Sequence, residues 1–327
     1  MINELRARIS PDVKEGEPLA KHTTFKIGGP AECFFEAKTA DDAVRAVNAA
    51  KALGIPCFVF GGGSNMLVSD DGVKGLVVKM ANRDFKVGSD GEVTAEAGAP
   101  TGLVSTRVTE AGFTGFEWAV GVPGTIGGAV RGNAGAYGGE TKDALISVRA
   151  FKDGVEEVMA NPVCGFAYRD SAFKKNPGWI VLSATFRFGK AADPVFAKSR
   201  LKQILLDRKA KQPVEYPTAG CMFMNWTPSG PEDIESIRRS LDLNKDESIP
   251  LTPQGTVPAG WIVDRAQLKG MKVGHVQVSD KHGNFFISDG KAKADDVIAL
   301  TAALKTRVRN LTGGVIQLRE EVEYVGF

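Results

Sequence analysis

The sequence CFVFGGGSN, at residues 57–65, runs from a short apolar strand pattern directly into three glycines, a serine and an asparagine. A backbone without side chains can bring its N–H groups against phosphate oxygens, and Ser64 and Asn65 add side-chain donors at the same place. A second glycine-dense stretch, GVPGTIGGAVRGNAGAYGG, covers residues 121–139. Two such loops in one chain predict a long phosphorylated ligand held from both sides, and therefore a dinucleotide cofactor.

Neither loop has the usual signature of a nucleotide-binding turn. The spaced glycines of a βαβ dinucleotide motif, with an acidic residue about 20 positions on, are missing, and so is the Gly-Lys-Ser/Thr ending of a phosphate loop. Glycine also serves tight turns and close packing. Each loop alone leaves both interpretations open, and it is the pair, with its Asn and Ser donors, that favours ligand binding.

Length and charge exclude several other classes of protein. The 327 residues are enough for two or three domains, and 43% hydrophobic with 24% charged residues is typical of a soluble globular chain. A formal net charge of +2 is too small to predict binding to nucleic acid or to a membrane. The N-terminus mixes charges of both signs, and no apolar run approaches about 18 residues, so neither a secretory signal nor a membrane span is predicted. The expected location is the cytoplasm.

Cysteine and histidine spacing does not indicate a metal site. Neither His275 nor His282 has a partner at metal-ligand spacing, and the same holds for the four cysteines. In a reducing compartment all four cysteines, Cys33, Cys57, Cys164 and Cys221, are expected to remain thiols. Three of the four are expected to be small core residues.

The first part of the chain alternates strand and helix patterns. Thr39, with the carboxylates that follow it, predicts the start of a helix that Gly54 ends. Short strand patterns lie within residues 75–98, a helix pattern covers residues 101–111, and WIVLSATFRF at 179–188 is the most strand-like stretch. These patterns predict one α+β unit that ends shortly after that strand.

The remainder of the chain is expected to form a separate domain. Residues 191–212 are charged and helix-favouring and predict a connecting helix. The polar stretch 226–257, which is rich in Pro and Gly, predicts a surface insertion with one short helix and no chemistry. An amphipathic helix then begins at Asp295 and ends before Gly313. Its predicted apolar face consists of Val297, Leu300, Leu304, Val308 and Leu311.

Three polar side chains are candidates for chemistry, and each has a structural alternative. Arg169, within CGFAYRDSAF, needs an anionic partner if it is buried, either the neighbouring Asp170 or a bound carboxylate or phosphate. Cys221 follows Ala-Gly and is expected on an exposed turn, although a lone cysteine more often packs than catalyses. Lys211, at the end of a predicted helix, is by default a solvated charge.

The C-terminal run LREEVEYVGF has the pattern of a strand interrupted by glutamates. Period-two alternation puts Glu321 and Glu323 on one face and Glu320 on the other. On an edge strand such charges also protect against pairing with another chain. A functional role and edge protection both remain open for these residues.

Seven motifs follow one another along the chain: HTTFKIGGPA from His22, FGGGSNMLVSDDGVKGLVV from Phe60, GFEWAVGVPGTIGGAVRGNAGAYGGE from Gly115, YRDSAFK from Tyr168, KQPVEYPTAGCMF from Lys211, PAGWIVDRAQLKGMKVGHVQVSDKHGNFFIS from Pro258, and the closing LREEVEYVG. In number, order and spacing they resemble the UDP-N-acetylenolpyruvoylglucosamine reductase family, in its type II-like form. The resemblance covers most of the chain and is highly specific.

The resemblance implies an α+β fold in three parts. Two FAD-binding subdomains of the vanillyl-alcohol-oxidase (PCMH) type are expected at residues 1–75 and 76–190. A substrate-binding domain is expected at residues 191–327, with a C-terminal strand that returns Glu321 to the active site. FAD is expected between the two glycine-rich loops, and it is expected to bind non-covalently because the first loop has no histidine.

The family motifs also imply which residues bind ligands. Those expected to hold the FAD diphosphate are Gly61, Gly62, Gly63, Ser64 and Asn65. Those expected to line the rest of the cofactor are Gly121, Gly124, Thr125, Gly128, Asn133, Ala134, Gly135 and Ala136. Tyr168 and Lys211 match positions associated with binding of the substrate or the nicotinamide nucleotide, the lysine as a point charge facing phosphate.

The family uses NADPH to reduce UDP-N-acetylglucosamine enolpyruvate to UDP-N-acetylmuramate, a precursor of peptidoglycan. NADPH gives a hydride to flavin N5, a hydride then passes to C3 of the enolpyruvyl group, and a proton reaches C2. The resemblance implies that Arg169 and Glu321 stabilise the charge that develops at C2 and its carboxylate, Glu321 as a protonated donor. The chain is expected to be a monomeric UDP-N-acetylmuramate dehydrogenase without a nucleic-acid or membrane partner.

The proton donor is where this sequence departs from the family, because Cys221 occupies a position that usually holds serine. A thiol, with a pKa of about 8.5, gives up its proton more easily than an alcohol. A nearby Arg169 or Lys211 would favour the thiolate, so the pH dependence is expected to be more sensitive than in serine relatives. A second departure is the insertion at residues 226–257, which is longer than in the family.

Two other functions remain open from the sequence. A flavin-linked oxidase on the same FAD fold would explain the first half of the chain but would give Cys221 and Glu321 no role. A flavin- or sugar-nucleotide-binding protein without turnover would explain the glycine-rich loops as well. Flavin colour, and oxidation of NADPH with the enolpyruvyl substrate, would distinguish the three.

Overall fold

Two compact units make up the computed structural model, which describes residues 1–244 and 246–327. The first unit contains residues 1–17, 30–63 and 73–208, and the second contains residues 18–29, 64–72 and 209–327. The short segments 18–29 and 64–72 therefore group with the C-terminal part of the chain, which the sequence patterns did not predict. The three-part division at residues 75 and 190 stays a prediction.

The helices and strands follow the predicted alternation. The α-helices are α1 (Ile2–Arg8), α2 (Ala40–Ala52), α3 (Thr101–Glu110), α4 (Ile126–Arg131), α5 (Thr141–Ala144), α6 (Ala172–Lys175), α7 (Pro194–Lys211), α8 (Pro231–Ser240), α9 (Ala259–Arg265) and α10 (Ala294–Leu311). Short 3-10 helices cover Leu19–His22, Glu117–Ala119 and Asn161–Cys164. Within residues 1–244 and 246–327, no helix combines the length and the apolar composition needed to cross a lipid bilayer.

The strands range from two to eight residues in length. They are β1 (Lys14–Pro18), β2 (Pro30–Ala37), β3 (Cys57–Phe60), β4 (Met66–Val68), β5 (Val73–Met80), β6 (Phe85–Val87), β7 (Glu92–Glu96), β8 (Phe113–Thr114), β9 (Gly135–Ala136), β10 (Gly139–Glu140), β11 (Leu145–Lys152), β12 (Val155–Ala160), β13 (Ile180–Arg187), β14 (Gly189–Lys190), β15 (Lys272–Val273), β16 (Val276–Val278), β17 (Phe286–Ser288) and β18 (Glu323–Val325).

One sheet of the first unit has the strand order β1-β2-β5-β3, and β2 and β3 both run parallel to β5. Helix α2 packs on this sheet through an alanine face, in which Ala43, Ala46 and Ala50 are fully buried. Thr39 begins the helix: its hydroxyl accepts the N–H of Asp42, and the Asp42 carboxylate accepts the N–H of Thr39. This is the capping arrangement that the sequence predicted.

A second sheet of the first unit is antiparallel, with the order β12-β11-β13-β7-β6. Helix α4 packs against β13. Gly127 allows α4 to approach the end of β7 as well, because a Cβ on that residue would lie 2.9 Å from Cβ of Ala97. The backbone N–H of Gly127 also donates to the Ala97 carbonyl at 2.8 Å. The second glycine-rich loop is thereby anchored to the end of β7.

The second unit has its own core, which forms between α10 and a small antiparallel sheet, β15-β16-β17. The buried face of α10 includes Val297, Leu300, Leu304 and Val308, as predicted. Leu311, which was predicted on the same face, is the last residue of the helix and is 48% exposed.

The two early segments complete the second unit. Phe25 and Ile27 are buried in its core. Strand β4 pairs in parallel with β18. Asp70 Oδ2 accepts the N–H of Ala294, the first residue of α10, at 2.9 Å. A carboxylate at this position satisfies a terminal N–H and interacts favourably with the helix dipole.

The C-terminal strand is shorter than its pattern predicted, since β18 begins only at Glu323. The N–H of Glu321 donates to the carbonyl of Met222 at 2.8 Å, whereas the N–H of Glu323 donates to the carbonyl of Asn65 at 3.1 Å. The backbone changes its pairing partner between these two glutamates. That change interrupts the continuous ladder that period-two alternation assumes.

Candidate active site

The two glycine-rich loops of the first unit contact each other directly. A Cβ on Gly62 would lie 2.8 Å from Cα of Gly124, and a Cβ on Gly61 would collide with the hydroxyl of Thr125. The close packing of the two loops therefore explains why residues 61 and 62 are both glycine. The same packing leaves two stretches of backbone side by side without a side chain between them, which is also what a phosphate cradle needs.

The second loop is held in place by its own hydrogen bonds. Thr125 caps α4, and its hydroxyl accepts the N–H of Gly128 at 3.4 Å. Asn133 is fully buried in a left-handed conformation with φ of 41°. Its side-chain NH2 donates to Glu140 Oε2 and to the carbonyl of Ala167, both at 3.0 Å. The amide of Asn133 therefore holds the loop to its neighbours.

Arg169 lies against the same loop. Its Nη2 donates to the carbonyl of Gly135 at 3.0 Å, and its guanidinium carbon lies 5.2 Å from the ring centroid of Tyr168. Asp170, the anionic partner considered for Arg169, forms an ion pair with Lys175 at 3.0 Å. The backbone of Arg169 has φ of 55°, which is uncommon for a residue with a Cβ and is often found at functional sites.

The predicted diphosphate loop is divided between the two units, because Gly61, Gly62 and Gly63 belong to the first and Ser64 and Asn65 to the second. The side chain of Asn65 donates to the backbone carbonyl of Glu321 at 3.1 Å. Its backbone carbonyl accepts the N–H of Glu323. In the second unit Asn65 thus fixes the segment that carries Glu321.

Cys221 lies on an extended segment that has a partner on each side. On one side the backbone of Cys221 forms an antiparallel β-bridge with that of Phe285, and the N–H of Met222 donates to the carbonyl of Asn284 at 2.8 Å. On the other side the carbonyl of Met222 accepts the N–H of Glu321. Gly220, with φ of 80°, provides the turn before the segment. Cys221 is therefore half-buried at a turn, and its segment is adjacent to that of Glu321.

Of the other three cysteines, Cys33 and Cys164 are buried in the core of the first unit, as predicted, and Cys57 is partly buried against that core. Burial raises the pKa of Cys57 to about 12 and the pKa of Cys164 to about 11. Burial is also the main cause that raises the pKa of Cys33. These thiols stay protonated at neutral pH, which leaves them inert.

Asn284 is a residue that sequence reasoning did not select for the site. It is buried, and its side chain both donates to the carbonyl of Phe223 at 2.8 Å and accepts the N–H of Phe223 at 2.9 Å. Together with its backbone bond to Met222, this side chain fixes the Cys221 segment at two successive residues. An asparagine between Gly and Phe gives no periodic signal, so only the fold reveals this role.

His282 is half-buried next to the same segment, with its ring centroid 4.8 Å from that of Phe285. Its Nδ1 accepts the N–H of Asn284 at 3.1 Å. Burial, and secondarily the positive charge of Lys269, hold the pKa of His282 below its ordinary value of 6.5. The imidazole is therefore expected to be neutral in the folded protein at neutral pH.

We expect this histidine to make the protein less stable in mild acid. A group whose folded pKa is depressed contributes stability that is present above the unfolded pKa and is lost as the pH falls through the folded pKa. The melting temperature should therefore fall between about pH 7 and pH 5, and His282→Gln should reduce this fall. The comparison variant is His275→Gln, at an exposed histidine whose Nδ1 lies 2.7 Å from Asp289 Oδ2, and it should not reduce this fall in melting temperature. Parallel curves for wild type and His282→Gln would contradict this account.

A groove of about 240 Å³ lies beside the paired segments of the second unit. Its lining residues are Met224, Asn225, Trp226, Thr227, Gln317 and Arg319. The N–H of Met224 donates to the carbonyl of Arg319 at 2.9 Å. The groove therefore lies along the same two paired segments that carry Cys221 and Glu321. Sequence reasoning assigned Trp226 to an insertion without chemistry and did not select Asn225 or Arg319.

The predicted catalytic residues fall into two groups. Arg169, with Tyr168, lies against the second glycine-rich loop of the first unit. Cys221 and Glu321 lie on neighbouring segments of the second unit. Lys211 also belongs to the second unit and is exposed as the last residue of α7. That all three catalytic residues meet at one substrate stays a prediction.

Comparisons with known proteins assign each part of the chain. Residues 31–157, which contain both glycine-rich loops, match the FAD binding domain, and residues 212–325 match the C-terminal domain of UDP-N-acetylenolpyruvoylglucosamine reductase. With the mixed helices and strands of the structure, these matches confirm the predicted α+β class, an FAD-binding part followed by the family's C-terminal domain.

Relatives extend the similarity to nearly the whole chain. UDP-N-acetylenolpyruvoylglucosamine reductase of Rubrobacter xylanophilus is 35% identical over 98% of this chain and 97% of that relative. The protein of the same name from Chlamydia trachomatis is 36% identical over 96% of this chain and 97% of that relative. The crystal structure of UDP-N-acetylenolpyruvylglucosamine reductase (MurB) from Thermus caldophilus is 30% identical, covers 96% of this chain and 99% of its own, and superimposes with a TM-score of 0.74. The chain therefore belongs to the UDP-N-acetylenolpyruvoylglucosamine reductase family of FAD-dependent oxidoreductases, as its motifs predicted.

Proposed function

We propose that this chain reduces UDP-N-acetylglucosamine enolpyruvate to UDP-N-acetylmuramate, with NADPH as the reductant and FAD as a non-covalent cofactor. The observation that carries this proposal is that the segments bearing Cys221 and Glu321 pair with each other in the second unit. The Glu321 N–H donates to the carbonyl of Met222, the residue after Cys221, at 2.8 Å. Membership of the reductase family supports the substrate and the reaction type.

The glycine-rich loops are the proposed cofactor site. The direct contact of Gly62 with Gly124 supports this assignment, because backbone without side chains can approach a diphosphate closely. Gly128, Ala134, Gly135 and Ala136 are proposed to line the cofactor through their backbone. Since the amide of Asn133 is engaged by Glu140 and Ala167, its proposed role is to shape this loop. Bound FAD would supply hydride transfer from NADPH to C3 of the enolpyruvyl group.

Cys221 is the proposed general acid, which protonates C2 of the same group. The thiol S–H bond breaks, a C–H bond forms at C2, and the resulting thiolate regains a proton from solvent. The raised pKa values of Cys57 and Cys164 leave those core thiols unsuited to this task. Asn284 is proposed to position Cys221 through its two bonds to Phe223.

Arg169 and Glu321 are proposed to stabilise the charge that develops at C2 and on the adjacent carboxylate. A guanidinium can form a fork with a carboxylate, and a protonated carboxyl can donate one hydrogen bond without adding repulsion. The left-handed backbone of Arg169, and the bond that holds its guanidinium to Gly135, support a preorganised role.

The sugar nucleotide is proposed to occupy the groove that Asn225, Trp226 and Arg319 help to line. The amide, indole and guanidinium groups of these residues suit a nucleobase and a diphosphate. Tyr168 and Lys211 are proposed as further contacts to the substrate or to NADPH. The exposure of Lys211 leaves its ammonium accessible to a phosphate.

A steady-state assay tests the proposal directly. Purified protein should be yellow, and it should oxidise NADPH beyond the one equivalent that reduces its flavin only when the enolpyruvyl sugar nucleotide is present. The product should carry two more hydrogens than the substrate, one of them from solvent at C2, as measured by mass spectrometry in D₂O. Oxygen consumption without that substrate would favour the flavin-linked oxidase, and a yellow protein without turnover would favour the non-catalytic alternative. A cytoplasmic location and a monomeric state belong to the same proposal.

A further inference from the structure

Arg208 is a buried cation on α7 that neither the motifs nor the proposed reaction uses. Only 7% of this residue is exposed. Arginine is almost never buried to this extent unless it has partners, because the charge loses its hydration. The groups that contact the Arg208 guanidinium therefore indicate its role.

Arg208 contacts the second glycine-rich loop and the short segment just before it. Its Nη2 donates to the carbonyl of Trp118 at 3.3 Å, and its guanidinium carbon lies 5.2 Å from the ring centroid of Tyr137. Its aliphatic stem covers Gly121, where a Cβ would lie 3.1 Å from Cδ of Arg208. One side chain thus touches Trp118, three positions before the loop, the first glycine of the loop and a residue near the loop's end.

The loop has a shape that needs such a restraint. Tyr137 is in a left-handed conformation with φ of 50°, and Gly121 and Gly124 also have positive φ. The indole of Trp118 packs directly on Gly139, where a Cβ would have no room. The two ends of the loop therefore come together at Trp118 and Gly139, and Arg208 lies where they meet. Glycine-rich backbone has high conformational entropy when it is unrestrained.

We propose that Arg208 is a positioning residue for the cofactor, one that holds the two ends of the segment 118–139 together so that the loop is ordered before FAD binds. This inference rests on the proposed role of that loop in binding FAD. An ordered loop binds without a further loss of conformational freedom, whereas a loop that is competent only part of the time binds more weakly in proportion. Arg208 itself contacts protein groups and is not assigned a contact with substrate.

The test compares Arg208→Met, which keeps the aliphatic stem, with Arg200→Met on the exposed side of the same helix. Full-length protein is stripped of FAD, and the FAD dissociation constant is measured by fluorescence titration. Hydrogen exchange is then followed by mass spectrometry in peptides from 118–139 and from β11, with and without FAD. The exchange measurement does not depend on activity or on cofactor binding.

We expect Arg208→Met to raise the FAD dissociation constant by about tenfold or more, the loss that corresponds to one charge-assisted hydrogen bond. Exchange should rise in 118–139 and stay unchanged in β11, whereas Arg200→Met should resemble wild type in both. Unchanged exchange in the loop would overturn the inference. So would an equal rise in β11, because a purely structural role would loosen the whole unit.

A second variant keeps the inference testable if Arg208→Met does not fold. Tyr137→Leu removes the ring beneath the guanidinium at a residue that is 39% exposed, and it should raise loop exchange in the same peptides. Unchanged exchange in those peptides would overturn the proposed positioning role of Arg208. Wild-type protein that binds no FAD would instead contradict the proposed function. In that case the exchange data on the Arg208 variant would still test whether this side chain orders the loop.

Discussion

Replacing Cys221 with alanine is expected to leave flavin reduction by NADPH close to the wild-type rate and to slow reduction of the enolpyruvyl substrate by about 10²-fold or more, the range for a lost general acid. Only the second half-reaction needs a proton at C2. The segment should keep its fold, because Met222 and Phe223 are held by backbone and side-chain bonds of Asn284. Stopped-flow absorbance of the flavin measures each half-reaction separately.

Cys221→Ser is the matched control, because the family resemblance implies serine at this position. We expect this variant to retain substrate reduction and to lose activity less steeply in alkaline solution, since a hydroxyl does not ionise where a thiol does. Equal losses in both half-reactions of Cys221→Ala would remove the thiol from the role of proton donor. A solvent-derived deuterium that still reached C2 at the wild-type rate would do the same.

Gly62→Ala is expected to weaken FAD binding by about tenfold or more, because forcing a methyl group into packed surroundings typically costs about 1–3 kcal/mol. The new Cβ would lie 2.8 Å from Cα of Gly124, with the C and N atoms of that residue next nearest. Backbone atoms cannot rotate away, so the two loops must separate. Flavin content after purification and titration of the apoprotein with FAD measure the effect.

Gly178→Ala is the control for a small increase in side-chain size elsewhere in the same unit. A Cβ on Gly178 would meet no atom within 4 Å, so FAD binding should be unchanged. If Gly62→Ala bound FAD as tightly as this control, the contact between the two loops would not contribute to the cofactor site. A loss of folding in Gly62→Ala, seen as a lower melting temperature of the apoprotein, would show that the contact supports the unit itself.

Local patterns predicted most of the helices and strands, because the signals involved act over a few residues. Thr39 with Asp42 predicted the start of α2, and the structure contains both hydrogen bonds of that cap. The apolar spacing of α10 predicted its buried face from Val297 to Val308. The C-terminal strand was predicted less well, since Glu321 and Glu323 bond to different segments far away in the sequence. No local pattern contains that information.

Sequence alone determined the family, the glycine-rich loops and the cysteine at residue 221, where the resemblance implies a serine, because each is a matter of residue type and order. Tertiary structure decided which of those residues are neighbours. It paired the Glu321 segment with the Cys221 segment, grouped Ser64 and Asn65 apart from the preceding glycines, and revealed the hydrogen bonds of Asn284 and Arg208 to segments of the proposed site. The physical reason is that hydrogen bonds and packing act between residues close in space, and the spacing of residues along a chain does not specify which distant ones will meet.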